Sequence, residues 1–181
     1  MTFPIRTGSA DDIAGLLELY DEAVEWLAGH GRQGQWGSQP FSRRPELVIR
    51  LEEIAERGEL RIAEDNSGKL AGALWLTSAP SYAPAATEPE VYLEGFIVGR
   101  RYAGLGVGET LLEAAQAEAA ARGATQLRLD CWAGGDQALI RYYERAGFTV
   151  IGRLNAPVGS WEGVLLTRAV SQADGRQSGA S

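Results

Sequence analysis

Lysine, histidine, cysteine and methionine are almost missing from this chain: Lys69, His30, Cys131 and Met1 are the sole examples among 181 residues. One cysteine forbids an intramolecular disulfide and fits a reducing compartment, so the expectation is a cytoplasmic protein. One histidine and one cysteine cannot furnish an ordinary zinc site, and no metal is expected. No apolar run approaches the ~18 residues of a membrane span. The opening residues, Met1-Thr2-Phe3-Pro4-Ile5-Arg6, have no basic segment followed by an apolar one, so a secretory leader is not expected. Basic residues are also scarce, 17 against 24 acidic ones, for a formal charge of -7. Phosphate binding runs on clustered Lys and Arg, so nucleic acid is disfavoured as a partner.

What is present is ordinary for a globular protein, with 45% hydrophobic and 23% charged residues. A chain of this size buries roughly 70% of its unfolded surface. One domain is expected over residues 1–170, followed by a tail, 171–181, that lacks large apolar residues and is expected to be disordered. The acidic excess is lopsided: residues 1–90 hold 8 basic and 15 acidic side chains, whereas residues 91–181 hold 9 of each. Two readings stand, a solvated acidic face and a field that attracts a cationic substrate.

The periodicity predicts a short strand near Phe3–Arg6. A helix follows, capped by Ser9 with Asp12 in its first turn and carrying Ile13, Leu16, Leu17, Tyr20, Val24 and Leu27. Residues 30–44 are rich in Gly, Gln and Arg yet contain Trp36 and Phe41. Pro45 opens a second helix that ends by Gly58. Leu60–Glu64 and Leu70–Thr77 flank Asn66-Ser67-Gly68, which is hairpin-turn chemistry. Val91–Val98 is a strongly β-forming run, and an alanine-rich helix spans about Val107 to Arg122. Strand Leu127–Trp132, a helix over about Asp136–Arg145, and strands Phe148–Gly152 and Trp161–Arg168 complete the series. The order β-α-α-β-β-β-α-β-α-β-β describes a mixed α/β sheet and excludes a repeating Rossmann domain.

The most informative stretch runs from Phe96 through Val98 and the turn Ala103-Gly104-Leu105-Gly106-Val107-Gly108 into the alanine-rich helix. Glycines let a ligand approach the backbone, and free N–H groups at the helix start, aided by its dipole, favour an anion. The segment has no Gly-Lys-Ser/Thr, which excludes a Walker loop, and its glycine spacing departs from G-x-G-x-x-G.

This turn, together with Tyr142-Tyr143-Glu144-Arg145-Ala146-Gly147-Phe148, resembles the GNAT superfamily of acetyl-CoA-dependent N-acetyltransferases. The family has a Q/R-x-x-G-x-G/A loop after a strand ending in Val, and later a Tyr followed by an acid and a Gly-Phe pair. The resemblance covers about residues 3–168, with Ala103 standing where the family usually has Gln or Arg. It implies a mostly antiparallel mixed sheet with helices on both faces and a central strand pair, Val91–Val98 and Leu127–Trp132, that splays apart. It further implies acetyl-CoA as cosubstrate, with Phe96, Ile97 and Val98 along the pantetheine arm and Ala103, Gly104, Leu105, Gly106, Val107 and Gly108 at the pyrophosphate. Asp136 stands where the family often has an Asn contact to the cofactor. A homodimer, common in the family, is a further implication.

Tyr143 occupies the family's general-acid position, and packing on a helix face is its alternative role. Glu94 is the leading candidate for the base, placed by period two on the face of Tyr92, Phe96 and Val98 unless a bulge near Gly95 re-aims it, with Asp130 and a water chain as the alternatives. Trp26, Trp36 and Glu25 are expected to contact the acceptor, with Gln35, Phe41, Asp21 and Glu22 near by. Cys131 reads as a buried apolar residue rather than a nucleophile, and Trp132 and Trp161 as packing residues. The expected activity is acetyl transfer to a primary amine of a small cationic molecule. A protein or peptide amine and a non-catalytic acyl-CoA-binding module are the competing readings.

Overall fold

The computed structural model describes residues 2–155 and 162–171. Seven strands form one sheet: β1 (Ile5–Thr7), β2 (Leu60–Glu64), β3 (Leu70–Thr77), β4 (Glu90–Val98), β5 (Gln126–Trp132), β6 (Thr149–Asn155) and β7 (Glu162–Ala169). Their order is β1-β2-β3-β4-β5-β7-β6, and every neighbouring pair is antiparallel except β4 and β5, which run parallel. Four helices, α1 (Ile13–Gly29), α2 (Pro45–Glu56), α3 (Val107–Ala121) and α4 (Ala138–Arg145), cover the sheet. The expected fold class and element order are therefore what the chain adopts. Trp161 and residues 172–181 of the expected tail lie outside the described residues.

Each face of the sheet buries its own core. On one side Leu111, Leu112 and Ala115 of α3 and Ile140 and Tyr143 of α4 pack on Leu74, Leu127, Leu129 and Leu166. On the other, Leu16 and Tyr20 of α1 and Leu51 and Ile54 of α2 pack on Leu60, Ile62, Ala73 and Ile97. The helix faces follow the i, i+3, i+4 spacing of their apolar residues. At the start of the first helical segment, the Ser9 amide donates to the Asp12 carboxylate at 2.8 Å, and Asp12 also accepts from Arg6 at 2.6 and 2.8 Å. Gly123, at φ +75°, follows α3, the left-handed conformation that lets a helix end.

Helix α4 begins two residues later than its periodicity predicts. The Asp136 carboxylate instead accepts the Ala138 amide at 3.1 Å, which fixes the helix start there.

Two irregularities in β4 shape everything that follows. Trp75 of β3 stands opposite Gly95 and Leu76 opposite Leu93, so Glu94 is an extra, bulged residue. A side chain at Gly95 would lie 1.9 Å from the Trp75 ring, which is why glycine is required. Beyond Leu93 and Leu129 the parallel pairing of β4 with β5 stops, although both strands continue, to Val98 and Trp132. The central pair therefore splays as expected.

Candidate active site

A cavity of about 830 Å³ passes through the opening between β4 and β5. One end reaches the turn before α3, and the other reaches α1 and residues 35–41. The β4 edge that faces the gap is unpaired past Leu93, so its N–H and C=O groups are available to an extended ligand. Phe96, Ile97 and Val98 line this stretch.

At the turn, Gly104 and Gly106 take φ of +75° and +87°, conformations costly to residues with a side chain. The Ala103 amide donates to the Arg100 carbonyl at 3.2 Å and the Leu105 amide to the Tyr102 carbonyl at 3.1 Å. Among the described residues, the amides of Gly104, Gly106, Val107, Gly108 and Glu109 have no such partner, the last three because they open α3. Ala103, Gly104, Gly106, Val107 and Gly108 all line the cavity. Leu105 does not: its side chain is 48% exposed. Arg100, which the sequence did not single out, lies 3.8 Å over the Trp26 ring and supplies a cation at this end.

Tyr143 projects from α4 into the same cavity, packed edge-on against Phe148 and Tyr142. Burial holds its hydroxyl well above the ordinary value of 10, and among the described residues that hydroxyl has no hydrogen-bond partner. Cys131 borders the opening, and desolvation pushes its thiol up to about 12, as befits a buried apolar residue. Desolvation likewise brings Tyr142 to about 12.

Of the three carboxylates that line the cavity among the described residues, Glu109 lies at the α3 end, and the other two, Glu94 and Asp130, differ in kind. Glu94 does not share a face with Phe96 and Val98: it keeps the side that alternation with Leu93 gives it, toward α2, and the bulge turns Phe96 and Val98 to the α3 side. Arg50 of α2 grips both Glu94 oxygens, at 3.0 and 2.6 Å. Asp130 accepts from the Tyr92 hydroxyl and, at 3.3 Å, from the Tyr82 hydroxyl. Desolvation outweighs these bonds and raises its pKa above the usual carboxylate value. Tyr82 arrives on the loop 78–89, which Arg128 tethers by donating to the Pro84 carbonyl at 2.7 Å.

Of the residues expected to contact the acceptor, Trp26 and Trp36 line the cavity and Glu25 does not. It is exposed, in a separate depression with Glu18, Asp21 and Glu22. Asp136 also lies away from the cavity, paired with Arg32 at 2.9 Å and capping α4. The reason in both cases is local: Glu25 falls on the solvent side of α1, and a carboxylate two residues before a helix is drawn to its free amides. Tyr82, Tyr92, Arg50 and Arg100 went unforeseen; only strand alternation, which puts Tyr92 and Asp130 on one face, could have hinted at the first contact.

The unpaired amides, the splayed edge, a buried tyrosine and a half-buried carboxylate thus border one cavity on a mixed sheet. The Acetyltransferase (GNAT) family profile matches residues 17–148. YesJ, an uncharacterized N-acetyltransferase of Bacillus subtilis (strain 168), is 30% identical over 149 residues, 79% of this chain and 78% of that protein. The fold is shared with the PaiA N-acetyltransferase of Thermoplasma acidophilum, solved in complex with coenzyme A, at a TM-score of 0.68 and 19% identity over 93% of this chain and 99% of the other. It is also shared with a phosphinothricin acetyltransferase of Sinorhizobium meliloti solved with acetyl-CoA, at a TM-score of 0.67 and 18% identity over 97% and 95% of the two chains. The chain belongs to the GNAT family of acetyltransferases. Among the described residues no helix is long and apolar enough to cross a membrane, and no group of His, Cys, Asp or Glu is placed to hold a metal.

Proposed function

We propose that the protein transfers an acetyl group directly from acetyl-CoA to a primary amine of a small cationic molecule, with Tyr143 as general acid and Asp130 as the carboxylate that receives the amine. The carrying observation is the opening of the β4–β5 seam, which joins five unpaired amides at one end to Asp130 and Tyr143 at its centre. The residues fit the cosubstrate: the amides of Gly104 and Gly106–Glu109 suit a diphosphate, and the free β4 edge over Phe96–Val98 suits an arm carrying amide groups. Acetyl-CoA supplies an activated thioester carbonyl.

The chain's own residues handle the protons. An alkylamine with a pKa near 10.4 is mostly protonated at pH 7, and removing that proton unaided costs about 4.6 kcal/mol. Asp130 is the better acceptor because burial raises its proton affinity, while both oxygens of Glu94 are held by Arg50. As the nitrogen lone pair bonds to the carbonyl carbon, the carbon–sulfur bond breaks and Tyr143 donates its proton to the departing sulfur; the second proton, which the nitrogen sheds as it becomes an amide, returns the tyrosine to its neutral form. The tyrosine hydroxyl is protonated throughout the working range, as an acid must be.

Residues 35–41 favour a small acceptor over a peptide. Trp36 and Phe41 lie against Tyr20 with ring centroids 5.2 and 4.4 Å away, closing the α1 side of the cavity. The test is free-thiol release from acetyl-CoA with a set of amines. Amine-dependent release is expected, and its absence with a protein that binds the cosubstrate would overturn the reading.

A further inference from the structure

We infer that the acceptor is a singly charged amine carried on a flat apolar body, an arylalkylamine, rather than a polyamine or an amino acid. This deepens the acetyltransferase reading and rests on it. The acceptor end of the cavity is an aromatic chamber: Tyr20 lies 6.0 Å from Trp75 and 5.2 Å from Trp36, and Phe41 stacks on Tyr20 at an interplanar angle of 19°. Leu47 adds to the apolar wall. Trp36 and Phe41 are only half-buried, so their rings present surface to an occupant, whereas Tyr20 and Trp75 form the floor. The indole N–H of Trp75 is buried without a hydrogen-bond partner, so the floor holds a donor that the chain's described residues leave unsatisfied.

Charge sets the second criterion. Arg50 neutralises Glu94 through two hydrogen bonds, leaving Asp130 as the one unneutralised acid that borders the chamber among its described lining residues apart from Glu109 at the opposite, α3 end. One ammonium is therefore matched, and aromatic faces reinforce it. A second ammonium, as in a polyamine, would be desolvated among rings with no partner. The carboxylate of an amino acid would be brought toward Asp130 and Glu94; Arg50 is already engaged at both Glu94 oxygens, and Arg44, 4.9 Å over the Phe41 ring, donates to the Trp36 and Gln39 carbonyls. The lopsided acidity of residues 1–90 does not enter the chamber, since Glu18, Asp21, Glu22 and Glu25 border a different depression.

The full chain is assayed for thiol release with 2-phenylethylamine, spermidine and L-glutamate, alongside calorimetry of acetyl-CoA binding. The expected result is a kcat/KM for 2-phenylethylamine at least tenfold above either of the others. Trp36→Ala is expected to raise the KM for 2-phenylethylamine about tenfold with little change in kcat, and Trp36→Phe to restore it, a split that mere misfolding would not produce. Faster turnover of spermidine or L-glutamate overturns the inference and leaves the acetyltransferase reading standing. Acetyl-CoA binding without turnover of 2-phenylethylamine also overturns it. Failure of acetyl-CoA to bind brings down the reading underneath.

Discussion

Replacing Tyr143 by phenylalanine isolates the proton that the departing sulfur needs. The ring sits in a packed cluster, 5.7 Å from Phe148 and 5.4 Å from Tyr142, and phenylalanine preserves those contacts. Since the hydroxyl has no partner among the described residues, its removal leaves no donor or acceptor stranded, and stability is expected to stay within about 0.5 kcal/mol. The kinetic effect can be scaled from Cys131, a thiol bordering the same opening. Burial lifts that thiol from 9.0 to about 12. Expelling an unprotonated thiolate into such surroundings therefore costs about 4 kcal/mol, at 1.36 kcal/mol for each unit. Water entering the cavity recovers part of this, so kcat is expected to fall between about 100-fold and 1,000-fold. The KM for acetyl-CoA should change less than about twofold, because the unpaired amides of the α3 turn are untouched. Thiol release at saturating amine, with the KM measured separately, reads both quantities. A loss of less than about fivefold in kcat would refute the assignment and make Tyr143 a packing residue.

Asp130→Asn should lower kcat/KM by about 100-fold and abolish the acidic limb of its pH profile. The sign follows from burial: a raised carboxylate pKa means the proton acceptor is lost at higher pH than for an ordinary aspartate, so the parent's limb lies above about 3.9. The same shift means that ionisation of Asp130 opposes folding as pH rises through the raised value, so the asparagine variant should melt no lower at pH 7. An unaltered limb would exclude Asp130 as the base. Gly106→Ala meets no neighbour within 4 Å, so its effect is strain at φ +87°. It should cost about 1 kcal/mol of stability and raise the KM for acetyl-CoA severalfold with a smaller change in kcat. An unchanged KM would remove Gly106 from the anion cradle. Arg128→Ala should cost about 3 kcal/mol in urea unfolding, because it strands Glu90, now 2.9 Å from a guanidinium that is 3% exposed. Equal midpoints for the two proteins would refute that estimate.

Much of the architecture was readable because periodicity and turn chemistry agree along the chain. β2 and β3 have the bounds that alternation and Asn66-Ser67-Gly68 assign, and α3 starts at Val107 and ends just short of Gly123 as its glycines dictate. Residues that act through the backbone were the easiest to find, since glycines and a helix start mark them. Side chains whose role depends on a neighbour distant in sequence were not. Period two groups Glu94 with Phe96 and Val98, yet one extra residue turns those two to the other face, and nothing local announces Arg50, 44 residues away, as the partner of Glu94. Tyr82 sits in a proline-rich loop with no periodicity at all, and its contact with Asp130 depends on the tether from Arg128 to Pro84. Glu25 and Asp136 show the converse: acidity alone does not say which way a side chain points.

The bulge at Glu94 links the irregularities of the site. An uninterrupted β4 would keep Val91, Leu93, Gly95 and Ile97 on one face, leaving Phe96 and Val98 on the α1 side. With the extra residue, Val91 and Leu93 and then Phe96 and Val98 all turn toward α3, so the apolar lining of the splayed edge follows from the insertion. The same step sends Ile97 into the α1–α2 core. It also places Gly95 beneath Trp75, where only a hydrogen fits, while Glu94 keeps to the α2 side and pairs with Arg50. Arg50 thus engages the β4 carboxylate of the opening, while Asp130, on the strand across the gap, lines it together with Tyr143. On this view the base belongs to β5 because β4 spent its acid on holding α2, and restoring alternation by deleting Glu94 should cost both the α2 contact and the lining of the acyl channel.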